Sequence, residues 1–170
     1  MKGVGVAAAG VETLQAQALR IAGSVLDPEI PVLTIADLGV LRGVRITAEG
    51  IAVDITPTYS GCPAMTMIAV EIEVALARAG FAKVKVNTVL APAWTTDWMS
   101  EEGRRKLAEC GIAPPRKGTG RRALFGVEAV ACPHCGCADT AEIAAFGSTS
   151  CKSLWRCNRC REPFDYFKCH

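Results

Sequence analysis

Four of the nine cysteines stand in two pairs whose spacing suits the coordination of a metal ion. Two residues separate Cys132 from Cys135, and two separate Cys157 from Cys160. A Cys-x2-Cys segment places two sulfurs on one tight turn, and two such turns supply the four thiolates that tetrahedral Zn²⁺ prefers. The 21 residues between the pairs suit a small antiparallel ribbon. We therefore expect a structural zinc ribbon with these four ligands.

Two further cysteines are predicted to meet at the far end of this ribbon. Residues 146–148 are typical of a turn and residues 153–156 of a strand, and a second strand runs out towards Cys169. Opposed residues of an antiparallel hairpin have a constant sum of residue numbers. If Cys157 faces Pro163, the sum is 320 and Cys151 faces Cys169. These two thiols either fill the ribbon core or form a second site for a soft metal.

Cys62 stands immediately before Pro63, and proline favours the first turn of a helix. The sulfur would then lie near unpaired backbone N–H groups and the positive end of the helix dipole, which lower the pKa of a thiol. An exposed thiolate there could ligate a metal or attack an electrophile; the alternative is a small residue in a tight turn. If the tail folds back, Cys62, Cys151 and Cys169 would form a three-thiolate cradle for a cluster.

Composition and charge restrict the class of protein. A chain of 170 residues can hold one medium domain or two small ones, and its apolar content of one half is enough for a sizeable core. Nothing marks the chain as secreted or membrane-spanning, and paired cysteines fit a reducing cytoplasm. Residues 113–122 carry four basic side chains and no acid, which is typical of a linker, assigned here to residues 113–127. The ribbon, residues 128–170, has no net charge, so a phosphate-binding face is not expected.

The first 112 residues are expected to form an α+β domain. The apolar periodicity predicts the order α-β-β-α-β-α, a sandwich in which the helices cover one face of a small sheet. The predicted elements are a helix from about residue 14 that closes at residue 27, strands at 39–47 and 51–56, a helix from residue 64 to 79, a strand at 83–90 and a helix at 100–110. There is no Walker or Rossmann fingerprint and no Glu-x-x-His pair for a di-iron site.

Three segments of this domain resemble the signatures of the iron–sulfur cluster assembly-associated domain family, which includes the bacterial SufT-like maturation factors. They are Asp-Pro-Glu-Ile-Pro at 27–31, Ile-Ala-Asp-Leu-Gly-Val at 35–40 and Thr-Pro-Thr-Tyr-Ser-Gly-Cys-Pro at 56–63. The tail, together with residues 94–98, resembles the PaaD branch of that family. Its matching segments are residues 146–152, 157–160 and 163–169.

The resemblance implies an accessory role in aerobic phenylacetate degradation. PaaD-type proteins accompany a di-iron oxygenase and a reductase that carries flavin and a 2Fe–2S centre. The implied function is maturation of the phenylacetyl-CoA 1,2-epoxidase system by iron–sulfur cluster insertion into the reductase, without catalysis by this chain. The implied partners are the reductase and oxygenase subunits, and the cofactors are zinc and a transient iron–sulfur cluster or iron. Cys62 would act with the supporting loop residues Asp27, Glu29, Thr58 and Gly61.

Two other functions stay open at this point. One is a nucleic-acid-binding zinc ribbon with a basic arm, which would need a basic ribbon face. The other is a thiol-dependent enzyme acting through Cys62, which would need a nearby base. We expect no nucleic-acid partner and no membrane association, and we expect a cytoplasmic protein.

Overall fold

The computed structural model describes the backbone of residues 5–116 and 130–168, and the side chains of those residues from 13 onward. The chain forms three α-helices, one 3-10 turn at Thr96–Trp98 and seven strands over these residues. No described helix is both long and apolar enough to span a membrane. The elements in chain order are α1 (Gly5–Gly23), β1 (Leu41–Thr47), β2 (Gly50–Ile55), α2 (Ala64–Arg78), β3 (Val84–Thr88), α3 (Glu101–Glu109), β4 (Ile112–Ala113), β5 (Thr140–Ala144), β6 (Lys152–Cys157) and β7 (Pro163–Phe167).

The first sheet has the strand order β1-β2-β3. β1 and β2 are antiparallel, while β2 and β3 are parallel because α2 forms the crossover between them. Val53 and Ile55 of β2 are fully buried, as are Ile72 and Leu76 of α2. The predicted α+β architecture is confirmed. β1 and β3 are shorter than predicted, whereas β2 has the predicted length and begins one residue earlier. α1 ends at Gly23, before the predicted end at residue 27.

The second sheet is a ribbon of four strands in the order β4-β7-β6-β5. β6 pairs antiparallel with both β5 and β7, and the predicted turn at residues 146–148 lies between β5 and β6. β5 and β4 were not predicted. β5 is mostly exposed, so its sequence lacks the alternation of a half-buried strand. β4 has only two residues, too few for any periodicity.

The predicted register of the β6–β7 hairpin is wrong by one residue. Lys152 faces Phe167 and Arg156 faces Pro163, so opposed residues sum to 319. The reason lies in the turn, where the Cys157 N–H donates to the carbonyl of Glu162, and not to that of Pro163. Cys151 consequently lies opposite Lys168, whose N–H donates to its carbonyl at 3.0 Å. Cys169, the predicted partner of Cys151, lies outside the described residues.

The ribbon packs directly into the core of the first domain. Phe167 is 1 % exposed and belongs to the same buried cluster as the side chains of α2 and the first sheet. Its ring meets Trp94 edge-on, with centroids 6.1 Å apart. β4, which directly follows α3, pairs in parallel with β7. The division at residues 112 and 127 stays a prediction, because residues 117–129 are not described.

Candidate metal sites

The four predicted zinc ligands come together at one end of the ribbon. The sulfurs of Cys132, Cys135, Cys157 and Cys160 all lie within 4.8 Å of one another. The Cys132 and Cys160 sulfurs are 3.7 Å apart, and those of Cys135 and Cys157 are 3.6 Å apart. Four sulfurs at about 2.3 Å from a tetrahedral zinc ion would be separated by about 3.8 Å. The cluster therefore fits a Zn²⁺ ion, which would act there as a structural cross-link between the two turns.

Each cysteine turn ends in a residue with left-handed backbone. Gly136, after the first pair, has φ 72°, and Arg161, after the second, has φ 68°. Backbone N–H groups inside each turn donate hydrogen bonds to the first sulfur of the pair. In the first turn, burial outweighs these bonds and raises the pKa of Cys132. In the second turn, hydrogen bonds from the N–H groups of Cys160 and Arg159 lower the pKa of Cys157 to about 6. A low thiol pKa favours the thiolate that a metal requires.

Cys62 lies at the start of α2, as the sequence predicted. The helix begins at Ala64 with Pro63 as its N-cap residue, and the Ala64 N–H donates a hydrogen bond to the Cys62 sulfur. The prediction of a lowered pKa is nevertheless wrong. Burial raises the pKa of the Cys62 thiol, and the carboxylates of Glu29 and Asp27 raise it further. The prediction of an exposed thiol is also wrong, because Cys62 is half-buried against the core.

Cys151 lies at the junction between the ribbon and the first domain. It is 4 % exposed and belongs to the core of the first domain. Its sulfur is 3.5 Å from Oε2 of Glu29 and 3.0 Å from the hydroxyl of Thr149. Burial raises the pKa of this thiol to about 11, although the bond from Thr149 acts in the opposite direction.

The loop after α1 presents Glu29 to this junction. Oδ1 of Asp27 accepts hydrogen bonds from the N–H groups of Glu29 and Ile30, both at 2.8 Å. Asp27 is 8 % exposed, and burial raises the pKa of its carboxyl. Asp27 thus holds the turn that orients Glu29, while the Glu29 side chain is half-buried beside Cys151.

Thr58 and Gly61, the two other predicted loop residues, make no hydrogen bond to the side chains of Cys62, Glu29 or Cys151 over the described part of the chain. Thr58 lines a groove of about 500 Å³ together with Tyr59 and Trp94. Gly61 is exposed, and a Cβ added there would come no closer than 3.9 Å to the ring of Tyr59, so nothing nearby requires glycine.

Tyr59 and Thr149 are contact residues that the sequence interpretation missed. The Tyr59 phenol hydrogen-bonds the side chain of Ser150 and also the sulfur of Cys62, and it thereby links the two domains. Both lie inside segments already singled out as family-like, 56–63 and 146–152. Membership of these two segments could have drawn attention to both residues. Only the docked ribbon shows that the two segments are in contact.

Comparison with known proteins matches both parts of the chain. Residues 16–88 match the family described as "Iron-sulfur cluster assembly protein", and residues 116–168 match the "PaaD zinc beta ribbon domain". The chain is 52% identical over 143 residues to a putative subunit of the 1,2-phenylacetyl-CoA epoxidase of Escherichia coli, covering 84% of this chain and 86% of that protein.

Two further similarities concern the first domain. The "Fe-S protein maturation auxiliary factor SufT" of Staphylococcus aureus is 37% identical over 85 residues, which are 49% of this chain and 96% of that protein. The crystal structure of a "Domain of Unknown Function DUF59" from Bacillus anthracis superposes with a TM-score of 0.55. It is 24% identical and covers 59% of this chain and 96% of that chain, so it supports the fold alone. The chain belongs to the PaaD family, in which an iron–sulfur cluster assembly domain carries a C-terminal zinc ribbon.

Proposed function

We propose that this chain is a non-catalytic accessory subunit of a cytoplasmic phenylacetyl-CoA epoxidase system, which assists the insertion of an iron–sulfur cluster into the reductase component. In this proposal the four ribbon cysteines hold zinc permanently, and the cluster or its iron is a cargo. The relation to an epoxidase subunit and to a named Fe-S maturation factor supports both halves of the proposal.

The single observation that carries the proposal is the docking of the ribbon on the Cys62 loop. Docking brings Cys151 against Glu29, and it ties Tyr59, next to Cys62, to the ribbon. Thiol and carboxylate groups from two domains therefore lie at one junction, and these are the ligand types that bind iron.

The electrostatics of Cys62 favour metal handling over nucleophilic catalysis. A thiol whose pKa is raised is protonated at neutral pH and is a weak nucleophile. A metal ion can still displace its proton, because metal binding to cysteine releases protons. The alternative of a thiol-dependent enzyme therefore gains no support from the geometry.

The test is to produce the reductase with no partner, with this chain, or with its Cys62→Ser variant. We expect this chain to raise the fraction of reductase that contains a 2Fe–2S centre, measured by visible absorption and iron content. Cys62→Ser should lower that fraction to the value found without the chain. The matched control is Cys110→Ser, which changes an exposed cysteine at the C-terminal end of α3 and should behave like the wild type.

A second measurement separates maturation from catalysis. Reductase that already contains its cluster should support epoxidation equally with and without this chain. Equal cluster content with wild type and Cys62→Ser would contradict the proposed role of Cys62. A requirement for the chain with preloaded reductase would contradict the non-catalytic assignment.

A further inference from the structure

The junction between ribbon and first domain contains a pair of ligand atoms at metal-binding separation. The Cys151 sulfur and Oε2 of Glu29 are 3.5 Å apart. A sulfur at about 2.3 Å and an oxygen at about 2.1 Å from one tetrahedral ion would be about 3.6 Å apart. The sulfur comes from the ribbon and the oxygen from the loop after α1, so the pair exists only while the ribbon is docked.

Cys62 is the candidate for a third ligand. Cys62 packs against the core cluster that includes Cys151. The negative charge of the Glu29 carboxylate also raises the pKa of the Cys62 thiol. Tyr59 hydrogen-bonds Cys62 and, from the same phenol, Ser150 next to Cys151. Among the described residues, only the ribbon cysteines have all their ligand atoms within 4.8 Å. The Cys62 sulfur must therefore move closer to the Cys151–Glu29 pair for the junction to close around an ion.

We propose that Cys62, Glu29 and Cys151 together bind one divalent transition-metal ion of the ferrous type, and that the docked ribbon completes this site by supplying Cys151. Only the identification of that ion as cargo rests on the proposed function; binding itself does not. Capture forms two metal–sulfur bonds and one metal–oxygen bond, and the two thiol protons leave to solvent. A fourth coordination position stays open for exchange.

The surroundings explain why such a site would exchange its ion. Each thiol must release its proton when it binds a metal. Protons therefore compete with the metal, and affinity should rise as pH increases. A mixed sulfur–oxygen site with an open position also binds an ion less permanently than four thiolates do.

The folded ribbon holds Cys151 in position at this site. β6 begins at Lys152, next to Cys151, and ends at the zinc ligand Cys157. At the near end, the Lys168 N–H holds the Cys151 carbonyl, while Phe167 packs against Trp94. An isolated hairpin is only marginally stable, so zinc at one end and aromatic packing at the other keep Cys151 beside Glu29.

The test uses the full chain with its ribbon loaded with zinc, titrated with Co²⁺ without oxygen. Co²⁺ is a spectroscopic substitute for Fe²⁺, and its bonds to thiolates absorb strongly in the near ultraviolet. We expect one equivalent of Co²⁺ to bind while the zinc content stays constant, since a four-thiolate site retains Zn²⁺ against Co²⁺. Bound Co²⁺ should protect Cys62 and Cys151 from alkylation, as identified by peptide mass spectrometry.

Variants then assign the ligands. Cys62→Ser and Cys151→Ser should each weaken Co²⁺ binding by about 100-fold or more, beyond the usual loss for outer-shell changes. Glu29→Gln should weaken it by about 10- to 100-fold and leave the absorption per bound Co²⁺ unchanged, because both Co–S bonds remain. Cys110→Ser is the control and should bind like the wild type.

Two results would overturn the site. One is an absence of Co²⁺ binding by the zinc-loaded wild type. The other is wild-type affinity in Cys151→Ser, which would show that the ribbon supplies no ligand. Failure of reductase maturation with normal Co²⁺ binding would instead count against the proposed function alone, because the two measurements are independent.

Discussion

The two cysteine sites of this protein are organised by different forces. In the ribbon, two short turns each supply two sulfurs, and all four atoms lie within 4.8 Å. At the junction, Glu29, Cys62 and Cys151 come from three segments that are distant in the sequence. The ribbon site depends on local turn geometry and on its metal. The junction depends on the packing of Phe167 and Cys151 into a core to which both domains contribute.

One thiol in each site has its pKa shifted in the opposite direction to the other. Backbone N–H groups lower the pKa of Cys157, whereas burial raises the pKa of Cys151 to about 11. Hydrogen bonds from backbone N–H groups stabilise the Cys157 thiolate that a metal requires, whereas burial outweighs such bonds at Cys132 in the other turn. The buried Cys151 sulfur beside Glu29 stays protonated in the absence of a metal. Changes that affect one site and spare the other therefore test this comparison.

The largest expected effect follows from removing the aromatic ring that docks the ribbon. Phe167→Ala should lower the free energy of unfolding by about 3–5 kcal/mol, the usual cost of a buried phenylalanine. It should also expose Cys151 without removing zinc, because Phe167 pairs with Lys152 at the end of the β6–β7 hairpin that is opposite to the Cys157 turn. Denaturant unfolding and metal analysis measure both effects.

The matched control is Phe146→Ala, which removes a phenylalanine that is 68% exposed. It should change stability by about 0.5 kcal/mol or less. Equal effects of the two changes, or loss of zinc from Phe167→Ala, would show that docking and metal coordination are not separate.

The next effect is a difference in thiol reactivity. In the chain with zinc in the ribbon and no added metal, we expect exposed Cys110 to be alkylated fastest, half-buried Cys62 more slowly and Cys151 slowest. A pKa raised from the reference value of 9.0 to about 11 reduces the thiolate fraction of Cys151 by about 100-fold near neutral pH. Rates at each cysteine can be followed by mass spectrometry.

The same pKa has a consequence for stability. Because the folded state raises the pKa of Cys151, its stabilising contribution is complete below the pKa of the unfolded chain. It is lost as the pH rises from about 9 towards 11. The free energy of unfolding of the wild type should fall more in this window than that of Cys151→Ser. Parallel curves for the two proteins would contradict the buried, protonated thiol.

The smallest effect concerns the two left-handed residues of the cysteine turns. Arg161→Gly should stabilise the zinc-loaded chain by about 1 kcal/mol, since a non-glycine residue in this conformation is strained. Gly136→Ala should destabilise it by about 1–2 kcal/mol, because alanine is strained in the left-handed conformation. A steric clash adds nothing to this cost, since no neighbouring atom lies within 4 Å of the added Cβ. Neither change should alter the alkylation of Cys62 or Cys151. An altered rate would indicate that turn geometry reaches the junction.

Much of the fold was predictable because its signals are local. The apolar spacing of α2 predicted a helix that the structure confirms from Ala64 to Arg78, and the two Cys-x2-Cys pairs predicted four sulfurs that the fold does bring together. The hairpin register was not predictable to one residue. The register depends on how the loop between β6 and β7 closes, where the Cys157 N–H donates to the carbonyl of Glu162 and not to that of Pro163. A slip of one residue moves every side chain of the strand to the other face of the sheet.

The sequence by itself determined the cysteine turns, the helices, the α+β class and the family, because each depends on short-range spacing or on contiguous motifs. Only the tertiary structure decided the environment of Cys62 and the position of Cys151. The helix dipole favours a lower pKa for Cys62, but burial and the neighbouring carboxylates outweigh it. Those neighbours reach Cys62 through chain folding, and Cys151 reaches Glu29 only because Phe167 buries its ring in the first domain's core.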